Sequence, residues 1–426
     1  MTNPTFILPS SPGIAASNLY ALKVGNQPER FSPISGAFAR STTASRQNAN
    51  GLIESIGINT PRLDYTYGSC PALLLEPQRT NLMLYSEQLD NSNWVKADTS
   101  VTANTTTSPD GTTNADSLIE NTATALHQIS QGTVSVGGVY TVSIYAKKNG
   151  RNWIFLNIAS ASNYGAWFDI DSGVLGTVQA NITNTTITNV GNGWYRCSVT
   201  ANTGALSPRL SLTMATANNV LSYTGNGTSG IFIYGAQVEQ GSYPTTYIPT
   251  TSATVTRTAD SFSYSNIFTN GYVSSQGGTW LIELKNNVSY TRDTGSRLLE
   301  LNDGGTPINS ITIRNQGGTT RLAISKYIAG VETFLYNTVS DSTRLAIKWN
   351  GSTLDIFSNG SKVVSLSSFS TTNMVNLLGY GVGVPVFVQS MALFNTPLSD
   401  AECVLLTSDT YGTFATLASS TSYTLS

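Results

Sequence analysis

Val139-Tyr140-Thr141-Val142-Ser143-Ile144-Tyr145-Ala146 reads as a strand, with Tyr140, Val142, Ile144 and Ala146 on one face of an extended chain. Similar runs follow at Trp153-Ile154-Phe155-Leu156-Asn157-Ile158, Ala166-Trp167-Phe168-Asp169-Ile170, Trp194-Tyr195-Arg196-Cys197-Ser198-Val199, Leu210-Ser211-Leu212-Thr213-Met214 and Ile231-Phe232-Ile233-Tyr234-Gly235-Ala236-Gln237-Val238. Gly, Asn and Ser turns separate them, the pattern of a sandwich. Eight or so strands within about 160 residues fit a jelly roll, two antiparallel sheets burying their inward alternate residues, and residues 82–250 form this domain.

Working outward, residues 1–28 carry Pro4, Pro9, Pro12, Gly13, Gly25 and Pro28 with little periodicity and read as an extended arm. Residues 29–81 alternate short apolar runs with turns, among them the hairpin signal Asn50-Gly51. Beyond the domain, Pro244, Pro249 and Thr250-Thr251-Ser252-Ala253-Thr254 mark a joint, so 251–276 reads as a linker. A second β domain is expected over 277–406, with tight turns at Asn350-Gly351 and Asn359-Gly360. One short helix is expected near its end, where Ser399 caps and Glu402, three residues on, closes a capping box. Residues 407–426, rich in Ser and Thr, read either as a strand added to a neighbour or as a loose tail. The fold class is therefore all-β, in tandem β-sandwiches.

Composition narrows the function. Of 426 residues, 22 are Lys or Arg and 24 Asp or Glu, which leaves no basic footprint for a phosphate backbone and sets nucleic acid aside. The 40% of hydrophobic residues suffices for real cores. The first residues lack the basic and apolar regions of a signal peptide, and no run of about 18 apolar residues could span a membrane; a soluble product of the cytoplasm is expected. Cys70, Cys197 and Cys403 are too sparse for a disulfide framework or a zinc site and read as buried thiols.

Catalytic signals are weak. His127 is the one histidine, so a Ser/His/Asp triad or histidine metal centre would rest on a single residue with no nucleophile motif beside it. Asp169 and Asp171 are the nearest candidates for a glycosidase acid pair, but Asp171-Ser172-Gly173 reads as the turn after a strand. No enzyme, metal or cofactor is expected. Sugar binding asks for an aromatic ring under the apolar face of a pyranose and amides around its hydroxyls. Trp94, Trp153, Tyr164 and Trp167, interspersed with Asn152, Asn157 and Asn163, are the candidates, although each Trp could equally fill core, as Trp194 and Trp280 are expected to do.

The run Ala72-Leu73-Leu74-Leu75-Glu76-Pro77-Gln78-Arg79-Thr80-Asn81-Leu82, followed by Gly191-Asn192-Gly193-Trp194-Tyr195-Arg196-Cys197, Tyr234-Gly235-Ala236-Gln237-Val238-Glu239-Gln240-Gly241 and Tyr247-Ile248-Pro249-Thr250, resembles bacteriophage virion proteins of the tail- or head-fibre type over residues 30–262. Residues 277–406 resemble a laminin-G or concanavalin-A-like sandwich. The resemblance implies a virion appendage, often trimeric, that binds host surface glycan and other virion proteins; a minor tail or capsid decoration protein is the alternative. It also implies that 29–75 pairs with the C-terminal sandwich, the jelly roll being an insertion. Arg62, Asp64, Glu76, Arg79, Arg257 and Asp260 would then form an ion-pair cluster at the junction, or else remain ordinary solvated charges. Related jelly rolls often hold calcium through a Glu in the first strand and an Asp in the last. Here Glu87 matches the first, but Gly235 stands in the other place.

Overall fold

The computed structural model describes residues 6–8, 38–68, 71–133, 137–161, 163–285, 296–305, 309–315, 322–329, 331–338, 342–367, 369, 374–383 and 385–408. The chain is all-β, and the described residues contain one short helix. Among the described residues the strands pair antiparallel, and the chain divides into two compact units. One comprises residues 1–41, 56–78 and 258–426; the other comprises 42–55 and 79–257. We call them the outer-sequence unit and the inserted unit.

The inserted unit is a sandwich of two six-stranded sheets. The first runs, in spatial order, Ile182–Gly191, Trp194–Asn202, Val139–Asn149, Gly230–Gln240, Ala115–Glu120 and Thr99–Thr106. The second runs Val174–Val178, Gly165–Asp169, Trp153–Ala159, Pro208–Ala215, Gln128–Gly132 and Val95–Ala97. Period-two alternation builds the core between them: Val142, Ile144 and Ala146 of the first sheet meet Ile154, Leu156, Ile158, Leu210, Leu212 and Met214 of the second, all fully buried. Cys197 lies in this core, and burial pushes its thiol pKa far up, so it is an inert apolar filler.

The outer-sequence unit has an eight-stranded and a seven-stranded sheet among the described residues. In the first, Gly278–Lys285 lies between Ser342–Trp349 and Val386–Phe394, and Ala72–Leu75 pairs with Val386–Phe394 on its other side. Trp280, Ile282, Leu299, Leu301, Ile347, Leu73 and Leu75 share one core. The helix Asp400–Thr407 has Ser399 as its N-cap with both halves of the capping box formed, and it buries Cys403 and Leu406 against Leu281, Phe357 and Phe394.

Several boundaries differ from the sequence reading. Segment 29–81 is divided, because Thr42–Ser55 belongs to the inserted unit, whereas Arg62–Asp64 and Ala72–Leu75 join the eight-stranded sheet. The expected linker holds two strands. Val255–Arg257 pairs with Arg79–Asn81, and Ser261–Tyr264 enters the seven-stranded sheet, its Phe262 ring lying over Gly379, where a Cβ would stand 2.0 Å from the ring. Of the expected arm, only Phe6–Leu8 is described, a strand paired with Val386–Phe394. Residues 9–28, Cys70 and 409–426 lie outside the described residues.

Candidate functional site

Strand alternation that fills the core with Ile154, Leu156 and Ile158 turns Trp153, Phe155 and Asn157 to the other face of the second sheet. Register completes the face. Trp153 stands opposite Asp169 and Ala215, Phe155 opposite Trp167 and Thr213, and Asn157 opposite Gly165 and Ser211. An aromatic cluster of Trp153, Phe155 and Trp167 thus adjoins a polar row. The Phe155 and Trp167 rings lie 4.3 Å apart at 42°.

Glycines make room for these rings. A Cβ at Gly165 would stand 2.2 Å from Phe155 Cζ, and one at Gly176 would stand 2.7 Å from Trp153 Cζ3. The segment 216–221 crosses this end of the sheet: Asn218 Oδ1 accepts from the Thr177 backbone N–H at 2.8 Å, and Leu221 packs against the aromatic cluster. Trp167 is therefore only 3% exposed and Phe155 5%, while Trp153 keeps an accessible part. The Trp167 indole N–H is buried with no hydrogen-bond partner.

The seven expected glycan contacts separate. Trp153, Asn157 and Trp167 share this face, and Asn152 lies at its edge, with Nδ2 3.5 Å from Asp169 Oδ1. Asn163 sits in the hairpin beyond, exposed and with φ of 69°. Two of the rings, Trp94 and Trp167, are corrected as stacking surfaces, Trp167 for its 3% exposure. Trp94 lies in the sandwich core at 1% exposure, its indole donating to the Tyr85 carbonyl at 3.1 Å, and so offers no stacking surface. Tyr164 is half-buried and packs against the same core. Sequence reasoning missed Phe155, Ser211 and Thr213; continuing the alternation from Trp153 and along Leu210, Leu212 and Met214 would have placed them.

The other singled-out residues are held structurally. His127 is buried, with Nδ1 2.8 Å from the Asp98 carbonyl and Nε2 3.3 Å from that of Tyr223. Asp169 takes hydrogen bonds from the Asp171 and Ser172 backbones and from the Ser172 hydroxyl at 2.7 Å; burial raises its pKa, but these bonds outweigh it and hold the carboxyl low. Asp171 pairs with Lys148.

In the outer-sequence unit, Arg62 joins Glu76 at 2.7 Å and Asp260, and Arg40, absent from the sequence reading, reaches Asp260 at 3.0 Å. All four are buried, two cations balancing two anions. Asp64 is buried nearby in the chain and accepts from the Thr66 backbone at 2.8 Å. Arg79 and Arg257 belong to the inserted unit. There Arg79 lies 3.8 Å from Glu239 and over the Tyr243 ring, and Arg257 is buried.

Glu87 faces Asp110 across Tyr234, whose hydroxyl is 3.0 Å from both carboxylates. Gly235 has φ of 63°, and a Cβ there would stand 2.9 Å from the Tyr145 ring, so the missing Asp would not fit. The position does not suit the calcium that the sequence resemblance implies.

No protein-family model matches the chain, and no curated protein matches it. Among solved structures it is similar to a variant of the GH43 protein BlXynB from Bacillus licheniformis, with 8% identity over 70% of this chain and 75% of that one, at a TM-score of 0.22. The expectation that the chain is no enzyme is withdrawn, since a glycoside hydrolase is among the structures matched. A TM-score of 0.22 carries no argument for any particular activity.

Proposed function

We propose that the chain is a bacteriophage virion protein of the tail- or head-fibre type, assembled as a homotrimer with other virion proteins. It binds host surface glycan through the Trp153 face of the inserted unit. The observation that carries the binding reading is the meeting of Trp153, Phe155 and Trp167 with Asn157, Ser211 and Thr213 on one sheet face. An aromatic ring takes the C–H face of a sugar, and neighbouring amides and hydroxyls bond its oxygens. The fibre reading rests on the sequence resemblance over residues 30–262. Repetition around a symmetric appendage suits it, since multivalency raises avidity over a weak single contact by about 10² to 10⁴.

Trp153 is the ring to test, because it is the cluster member with accessible area. On a glycan array, Trp153→Ala is expected to bind about ten-fold or more weakly than wild type, the loss typical of an aromatic anchor. Equal binding would remove this face from the reading. Particles lacking the protein should fail to adsorb to host cells; particles that adsorb normally but break readily would instead identify a decoration protein.

A further inference from the structure

Arg209 lies on the same sheet face as the aromatic cluster and differs from the other arginines of the inserted unit whose pairings are described. Arg46, Arg79 and Arg151 each have a carboxylate, from Glu54, Glu239 and Glu120 respectively, and Arg196 lies over the Tyr145 ring. Arg209 has none. Its Nη1 donates to the Ser160 hydroxyl at 3.1 Å, and its Nε is buried without a partner. The side chain is half-buried, and desolvation alone acts on its pKa, pushing it down. The residue opposite it is Gly132, around whose absent Cβ there is open space within 4 Å.

A half-buried guanidinium without a counter-charge among the described residues is a cost to the fold, and the Nη N–H groups beyond the Ser160 bond can donate to an oxyanion. Along its strand, Arg209 is followed on the same face by Ser211 and Thr213, about 13 Å away at the far end, where Thr213 stands beside Phe155. The face thus has a cation at one end and aromatic rings at the other; between them lie the buried Ser211 and Thr213, the Ser211 hydroxyl donating to Gln128 at 3.2 Å, and Asn157, whose Oδ1 accepts from the Ala159 backbone at 2.8 Å.

We infer that this face recognises an acidic glycan, with the sugar rings tracking toward Trp153 and an oxyanion substituent, carboxylate or sulfate, received by Arg209. The inference rests on the glycan-binding reading above and narrows it to a substrate class.

The test is an array of uronate-containing glycans, their carboxyl-reduced counterparts and sulfated analogues. It is probed with wild type, Arg209→Gln, Arg209→Lys and Trp153→Ala, each first shown to melt as a folded protein. Wild type should prefer an acidic glycan over its neutral counterpart by about ten-fold or more, the worth of one charge-assisted pair. Arg209→Gln should bring the acidic glycan down to the level of the neutral one, while Arg209→Lys keeps part of the preference. Preference for uronates over sulfated analogues, or the reverse, names the oxyanion. Equal binding of acidic and neutral glycans, or an unchanged preference in Arg209→Gln, overturns the inference; if Trp153→Ala still weakens binding, the glycan-binding face stands without it. Absence of binding across the array overturns both.

Discussion

Tyr234 carries one proton yet stands 3.0 Å from both Glu87 and Asp110, so with both carboxylates ionised one contact would set oxygen lone pairs against each other. The surroundings resolve the conflict by pushing the two acids apart. Burial raises the Glu87 pKa, hydrogen bonds from Tyr234 and Tyr247 offset part of that, and the Asp110 charge adds to it. For Asp110, burial also raises the pKa, but bonds from Ser108, from the Thr112 backbone and hydroxyl, and from Asn114 outweigh it, so this carboxyl stays low. A protonated Glu87 can donate to Tyr234 while Tyr234 donates to Asp110. The sign of the linkage follows: a carboxyl whose folded pKa is raised contributes stability below its unfolded pKa of about 4.3, and that contribution is lost as pH rises through the folded value. Glu87→Gln, which cannot ionise, should therefore gain on wild type between pH 4 and pH 7 in urea unfolding. A variant that falls further behind at pH 7 would show that Glu87 works as an anion. The depressed Asp110 contributes with the opposite sign, stabilising above its unfolded pKa and losing that as pH falls through its own lower value.

Pairing of Gly165–Asp169 with Trp153–Ala159 joins the aromatic face to the fold, because Gly165 is where the backbone passes under the Phe155 ring. Ala at that position would put a Cβ 2.2 Å from the ring and 2.8 Å from the Leu156 carbonyl oxygen. Since neither a packed ring nor a ladder oxygen can yield that far freely, Gly165→Ala should lower unfolding stability by about 1 to 3 kcal/mol, the usual cost of overpacking. It should also change the fluorescence of Trp167; unchanged stability and emission would show that the ring turns aside at no cost. These elements also mark what could be read from sequence. Strand periodicity and the Ser399–Glu402 spacing were enough for the sandwiches and the capped helix, because both signals are local. Trp94 and Trp153 look alike in sequence, but Trp153 lies in a strand whose alternation assigns its face, whereas Trp94 precedes its strand and no alternation places it. Arg209 escaped notice for a related reason. Its place in the acidic-glycan proposal rests on having no carboxylate partner among the described residues, which no local pattern displays.

Chain connectivity gives the two units unequal independence. The chain leaves the outer-sequence unit at Ser41, returns at Ile56, leaves again after Gln78 and returns for good at Thr258. Residues 79–257 hold all twelve strands of the two six-stranded sheets and every member of the core between them. Residues 258–408 lack Ala72–Leu75, which pairs with Val386–Phe394, and lack Leu63, Leu73 and Leu75 from their core. They also lack Arg40 and Arg62, leaving Asp260, fully buried, without either cation. Breaking a buried pair by removing one partner costs about 3 to 5 kcal/mol, a large part of the 5 to 15 kcal/mol by which a domain is stable. The charges at 62, 76 and 260 are far apart in sequence, so their meeting follows from strand pairing and not from spacing. Expressed separately, 79–257 should give a cooperative urea transition, while 258–426 should be unfolded or aggregated. Adding residues 38–41 and 56–78 as a co-expressed or linked segment should restore a soluble, cooperatively melting partner for it. If 258–426 alone melted cooperatively, the early strands would be an accessory to that sheet, and the ion network around Asp260 would be dispensable for folding.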